Sequence, residues 1–243
     1  MFPEICHLGP FTIYAYGLML VLAFFVGAYL ACAQAKREKV NPDKIFNLLF
    51  GIFIWGIVGC RVFYVLNNLK FYLSDPLEII MLQHGGMSWF GGLIFGSFAA
   101  CWMIKRAKLN LLETLDLLAP FVALGQAIGR IGCLLNGCCY GKVSRWGLYF
   151  PSQDQVLIPT QLYSSLLLLL IFYILRTLQE RKHLAGQIFY SYLFLYALKR
   201  FGIEFLRNDT PKLIFSLSLF QLLSIPVFIF AGLMLMKIHY AKK

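Results

Sequence analysis

The sequence predicts an all-α integral membrane protein of about seven transmembrane helices, with its N-terminus outside and its C-terminus in the cytoplasm. Three observations carry that prediction. Of the 243 residues, 60% are hydrophobic and 14% are charged, against about 25% charged in a typical soluble domain. Water cannot solvate the outside of such a chain, so lipid must. Seven mostly apolar runs approach the roughly 20 residues that a spanning helix needs. Basic residues, finally, alternate between plentiful and sparse from one connecting segment to the next.

The runs are Tyr14–Ala33, Lys44–Leu66, Ser88–Ile104, Leu115–Leu135, Gln161–Leu178, Gln187–Phe205 and Leu219–Met236. The third is the shortest and is rich in glycine, which predicts an irregular or re-entrant entry around Gln83–Gly92. No repeat or long linker divides the chain, so residues 1–243 read as a single polytopic domain, with 136–160 as a small extracytoplasmic loop region. The N-terminus lacks the basic segment of a cleaved signal peptide, so the first run is expected to remain in the mature protein.

The connecting segments set the orientation, because cytoplasmic loops collect Lys and Arg. One side carries Lys36, Arg37, Lys39, Lys44, Lys105, Arg106, Lys108, Arg176, Arg181, Lys182, Lys237, Lys242 and Lys243. The other carries only Lys70, Lys142, Arg145, Arg207 and Lys212. Thirteen basic residues against five place the N-terminus outside, and that result requires an odd number of spans. The net charge of +11 is explained by the same loops, so nucleic acid is not an expected partner.

Charged residues left inside the spans are expensive, at about 2.5–3.5 kcal/mol each near a helix centre, and need a partner or a wet cavity. Four basic residues are left inside or at the edge of the spans, Arg61, Arg130, Lys199 and Arg200, and Glu204 joins them. Arg200 and Glu204 are one turn apart and can pair. Lys199 points elsewhere and is expected to reach an interface. Arg61 and Arg130 have no acidic residue one turn away. The abundant anion in a bilayer is the lipid phosphate, which guanidinium binds through two parallel hydrogen bonds. These arginines therefore predict a cavity for a phospholipid headgroup.

Glycines support close helix approach: Gly92 and Gly96 are four apart, as are Gly125 and Gly129. The stretch Gly129-Arg130-Ile131-Gly132-Cys133-Leu134-Leu135-Asn136-Gly137-Cys138-Cys139-Tyr140-Gly141 is too glycine-rich for a continuous helix. It reads as the outer end of the fourth span breaking into a loop over a polar site. Of the seven cysteines, Cys32, Cys60, Cys101 and Cys133 lie in apolar runs as reduced, packed thiols. Cys138 and Cys139 have no CxxC or HxxxH neighbour in the sequence, so no metal site is predicted. A vicinal disulfide, or a link from Cys6 to Cys138, stays open.

These motifs resemble those of the prolipoprotein diacylglyceryl transferases of bacterial inner membranes, over nearly the whole chain. Tyr14-Ala15-Tyr16-Gly17-Leu18-Met19 is similar to that family's first-helix motif, and Gly59-Cys60-Arg61-Val62-Phe63-Tyr64 to its second-helix element. Gly85-Gly86-Met87-Ser88 resembles its Gly-Gly-Met-Ser segment. Gly129-Arg130-Ile131-Gly132 with Asn136, Gly137 and Gly141 falls on its signature, and Pro159-Thr160-Gln161-Leu162-Tyr163 on its Pro-Ser-Gln-Leu-Tyr element. Arg200, Glu204 and Arg207 match its Arg-x-x-x-Glu-x-x-Arg pattern.

The resemblance implies a multi-pass bacterial inner-membrane enzyme that needs no cofactor. It moves the diacylglyceryl group of phosphatidylglycerol to the lipobox cysteine of a prolipoprotein signal peptide, forming a thioether and releasing glycerol 1-phosphate. Arg130, Arg200, Glu204 and Tyr16 are the implied catalytic residues: Arg130 on the headgroup, Arg200 essential to transfer, Glu204 orienting Arg200. Arg61, Tyr64, Gly132, Asn136, Gln161 and Arg207, together with Arg130, are the implied substrate-binding set. His84 is a candidate base; a lipid phosphate oxygen, or unaided ionisation of the thiol, would serve instead. The chain departs from the family's commonest pattern at Phe90, where others have His or Tyr, and at Cys133 and Cys138, where Asn and Glu are common. A transferase with another donor or acceptor, or a lipid flippase, are the alternative readings.

Overall fold

The computed structural model describes residues 4–8, 11–81, 85–213 and 216–241. The chain is mainly helical, with α1 Ala15–Arg37, α2 Pro42–Asn67, α3 Leu69–Ser74, α4 Trp89–Arg106, α5 Leu111–Asn136, α6 Thr160–Gln179, α7 Gln187–Glu204 and α8 Leu219–Ala241. It is not all-α. An antiparallel pair, β1 Glu4–Leu8 and β2 Phe11–Tyr14, precedes α1. A second pair, β3 Val143–Phe150 and β4 Gln155–Leu157, occupies the 136–160 region that reads as loop from sequence. Both pairs are short and join neighbouring stretches of sequence, so neither needed the long apolar alternation by which strands are recognised.

Among the described residues, five helices are long and apolar enough to cross a membrane: α1, α2, α5, α6 and α8. Many of their large apolar side chains point outward, Phe25 being 58% exposed, Leu170 53% and Phe230 52%. Such an exterior suits hydrocarbon, and the protein is a multi-pass membrane protein. The other two apolar runs also form helices, α4 and α7, each of 18 residues. They differ from the five for identifiable reasons. Helix α4 ends on Lys105 and Arg106, and α7 carries Lys199, Arg200 and Glu204.

The chain divides into two compact units, residues 1–30 with 115–243, and residues 31–114. In the first, α5 to α8 alternate in direction. Ser165 Oγ of α6 donates to the Ala127 carbonyl of α5 at 2.9 Å, and Gln179 reaches the Asp116 and Leu117 carbonyls. On the next pair, Lys199 of α7 meets Ser164 of α6. Phe194 of α7 stacks on Phe228 of α8, with ring centroids 4.3 Å apart. Between α5, α6 and α7 lies an apolar core of Ala119, Ala123, Ile171, Leu175, Ile188 and Tyr192.

Asp116 closes one end of this bundle. Its carboxylate accepts from the Gly186 amide at 2.6 Å and the Phe189 amide at 2.7 Å. It thus caps the N-terminus of α7 from a neighbouring helix, where the dipole favours an anion. The opposite end gathers Asn136, Thr160, Glu204 and Leu219, the ends of α5, α6, α7 and α8 that face the candidate site.

In the second unit α2 and α4 are antiparallel and close. A Cβ on Gly91 would sit 2.1 Å from the Gly59 carbonyl oxygen, so only glycine permits this approach. Asn41 caps α2 by accepting from the Asp43 amide at 2.8 Å, and Pro42 occupies the first turn. The entry to α4 turns at Gly85 and Gly86, both with φ of 79°, and becomes extended at Ser88, whose amide bonds to the Cys60 carbonyl at 3.0 Å.

Candidate active site

The site is built where three separated stretches of sequence meet. Helix α5 stops in a glycine cap: the Gly137 amide bonds to the Leu134 carbonyl at 3.1 Å and the Cys138 amide to the Cys133 carbonyl at 3.2 Å. This is the paired closure of a Schellman motif, with Gly137 in the left-handed region at φ 74°. The chain then folds back. Gln161 Nε2 donates to the Cys138 carbonyl and Thr160 Oγ1 to the Cys139 carbonyl. The Gly141 amide bonds to the Ile158 carbonyl and the Lys142 amide to the Leu206 carbonyl, each at 2.9 Å. Residues 138–142 are thereby lashed to the start of α6 and the end of α7. Gly132 lets α1 approach: a Cβ there would lie 2.9 Å from Met19 Cβ and 3.4 Å from the Tyr16 ring.

Basic groups collect at this junction. Arg200 and Glu204 lie 3.3 Å apart, one turn apart on α7. Ser218 Oγ donates to the same carboxylate at 2.9 Å, and the Arg200 guanidinium sits over the Phe220 ring at 4.2 Å. Arg207 grips Asp209 through two bonds of 2.8 Å. Lys199 does not reach an interface. It is buried, donates to Ser164 Oγ at 2.9 Å and lies over the Tyr196 ring at 4.8 Å. Arg130, Arg200 and Arg207 are all within electrostatic reach of Lys199. Arg130 makes no hydrogen bond or ion pair among the described residues. Four cations thus face two carboxylates, Glu204 and Asp209, and the excess positive charge calls for an anion.

Tyr16 stands within electrostatic reach of Arg130, Cys133, Cys138 and Cys139. The sulfurs of those three cysteines all lie within 4.8 Å of one another. Hydrogen bonds from Cys133 and Cys138 hold the Cys139 thiol below the ordinary thiol range, and the positive charges of Arg207 and Arg130 act in the same direction. Cys133 supplies the neighbour that Cys138 and Cys139 lack in sequence. Asn136 ends α5 and is exposed. Gln161 is only 1% exposed, and its Oε1 has no hydrogen-bond partner among the described residues.

Arg61 requires a correction. Its guanidinium is not waiting for a headgroup. Nε donates to the Ile79 carbonyl at 2.9 Å, Nη1 to those of Gly85 and Gly86, and Nη2 to those of Glu78 and Met81. All five donors of the side chain are engaged, so Arg61 clamps the segment leading into α4. Tyr64 belongs to the same unit and packs edge-on to Tyr72. Phe90 packs edge-on to Trp89. His84 lies outside the described residues.

Sequence reasoning names Lys199 and Cys133 but misses their place at the site. Lys199 adjoins Arg200, and consecutive helical residues point about 100° apart. Both can be buried only because α7 is covered on two sides, by Ser164 of α6 and Phe220 of α8. No single-helix pattern carries that signal.

The comparisons agree with this convergence of motifs. The family model described as prolipoprotein diacylglyceryl transferase matches residues 3–237. A phosphatidylglycerol–prolipoprotein diacylglyceryl transferase of Clostridium tetani is 33% identical over 232 residues, covering 93% of this chain and 93% of the relative. One of the same name from Geobacter sulfurreducens is 33% identical, covering 93% and 91%. Another from Trichormus variabilis is 36% identical, covering 87% and 80%. A membrane enzyme whose cations converge on one buried junction is the class that fold and site define, and the chain belongs to the prolipoprotein diacylglyceryl transferase family.

Proposed function

We propose that this protein transfers the diacylglyceryl group of phosphatidylglycerol to the thiol of a prolipoprotein's lipobox cysteine. The thiol sulfur bonds to the terminal glyceryl carbon of the donor, and the bond from that carbon to the phosphate oxygen breaks. The products are a thioether and glycerol 1-phosphate, and the thiol proton passes from the sulfur to an oxygen of the departing phosphate as the new bond forms. Charge develops on the departing phosphate, so preorganised cations around it lower the barrier.

The observation that carries this reading is the excess of positive charge at the junction, where Lys199 and Arg200 are buried and Arg130 is unengaged among the described residues. In this reading Arg130 takes the headgroup phosphate. Arg200, held by Glu204 and Phe220, faces the developing charge, with Lys199 as a further cation behind it. Arg207 and Gln161 hold the folded-back segment that shapes the site, together with Asn136 and Gly132, and Tyr16 lines it. Arg61 and Tyr64 support the entry to α4. Seven spans, with the site end of the bundle on the outer face of the bacterial inner membrane, would present the site to exported peptides.

Complementation of a strain depleted of its own transferase tests the assignment, with lipoprotein modification read by mass. The wild-type chain restores a diacylglyceryl-modified lipoprotein, and Arg130→Ala, expressed to the same level, does not. A well-expressed wild type giving no modified product would overturn it.

A further inference from the structure

We infer that Cys133, Cys138 and Cys139 form a three-thiolate binding site for a soft d10 cation of the Cu(I) class. The three sulfurs lie within 4.8 Å of one another, and all three cysteines are free thiols. Two sulfurs on one ion at a metal–sulfur distance of about 2.3 Å stand roughly 4 Å apart. Gathering the set therefore takes only small side-chain adjustments.

The backbone that brings them together is specifically built. Cys133 lies on the last turn of α5 and Cys138 just past its glycine cap. Cys139 then adopts a left-handed conformation at φ 65°, which is uncommon for a residue bearing a Cβ. Side-chain donors of Thr160 and Gln161 pin the Cys139 and Cys138 carbonyls, so that conformation is held by α6.

The donor set selects the ion. Thiolates favour Cu(I) and Zn(II) among biological metals. No His, Asp or Glu completes this cluster among the described residues, and structural zinc sites want four ligands. Three sulfurs alone suit a trigonal Cu(I). Three thiolates around a monovalent ion leave negative charge, which Arg130 and Arg207, both within electrostatic reach of Cys139, offset. The site does not depend on the transfer reaction.

Titration of the reduced, full-length protein in detergent with Cu(I), in competition with bicinchoninate under anaerobic conditions, tests the inference without an activity readout. One Cu(I) per chain is expected, with X-ray absorption reporting three sulfur neighbours in the wild type. Cys133→Ser, Cys138→Ser and Cys139→Ser should each weaken binding by more than the roughly 10–100-fold that losing an outer-shell partner costs. Cys32→Ser, Cys60→Ser and Cys101→Ser should leave it unchanged. Failure of the wild type to compete, a two-sulfur spectrum, or equal affinity in Cys139→Ser would overturn it. The wild-type spectrum keeps the test decisive even where a variant misfolds.

Discussion

At the scale of single residues, burial separates arginines that look alike in sequence. Arg61 and Arg130 both sit in apolar runs without a nearby carboxylate, and both read as phosphate ligands. The structure spends one and frees the other: Arg61 gives all its donors to five backbone carbonyls, while Arg130 has none engaged among the described residues. Their variants should therefore fail differently. Arg61→Ala leaves five part-buried carbonyls without their donor and should destabilise the protein by about 1–3 kcal/mol. Its melting temperature in detergent should fall and the stretches 78–81 and 85–86 should become protease-sensitive. Arg61→Lys, with three donors for five acceptors, should recover only part of this. Arg130→Ala should melt near the wild type yet lose about 100–1,000-fold in transfer rate, as losing one preorganised donor does elsewhere. Lys199→Met tests the cation that sequence spacing did not reveal. Losing a charged donor is worth about 1.5–3 kcal/mol, so transfer should fall at least about tenfold by a headgroup-release assay. Residue identity alone announced that charges were needed; which of them are spent internally depends on carbonyls seventeen to twenty-five positions away.

At the scale of elements, helix existence was legible and the small β pairs were not. All seven apolar runs become helices, because length and apolarity are properties of contiguous sequence. The strands at Val143–Phe150 and Gln155–Leu157 depend on each other's backbone, which no run displays. The cap on α7 is likewise remote, since Asp116 lies seventy residues before the Gly186 amide it accepts from. Asp116→Ala should cost about 1–2 kcal/mol. Hydrogen exchange at the Gly186 and Phe189 amides should quicken while the Glu204 end of α7 keeps its protection. Of the two glycine spacings, the one at Gly92 in α4 marks a close approach, a Cβ there meeting Cys60 Sγ of α2 at 2.5 Å, whereas one at Gly129 in α5 meets nothing within 4 Å; Gly91→Val, whose side chain would strike the Gly59 carbonyl, should separate α2 from α4 and abolish stable expression.

At the scale of the whole molecule, a skewed distribution of charge and a convergence of motifs are one design. Thirteen basic residues on one set of connections against five on the other predict an external N-terminus. A variant retaining only Cys6 should then react with a membrane-impermeant maleimide in intact spheroplasts, whereas a fluorescent protein fused to the C-terminus should fold and glow in the cytoplasm. Labelling of Cys6 only after lysis would invert the topology. The alternating course of α5 to α8 then carries Arg130, Arg200 and Glu204 toward one end and the Asp116 cap to the other. Motifs 30 to 70 residues apart in sequence meet because antiparallel neighbours bring every second connection to the same end. The most direct test of the central claim is glycerol 1-phosphate release by the purified protein from phosphatidylglycerol and a lipobox peptide. Wild type should release it in step with thioether-linked peptide, and Arg130→Ala and Arg200→Ala should lose both signals together. Thioether formation undiminished in both variants, or no release from a folded wild type, would contradict the account.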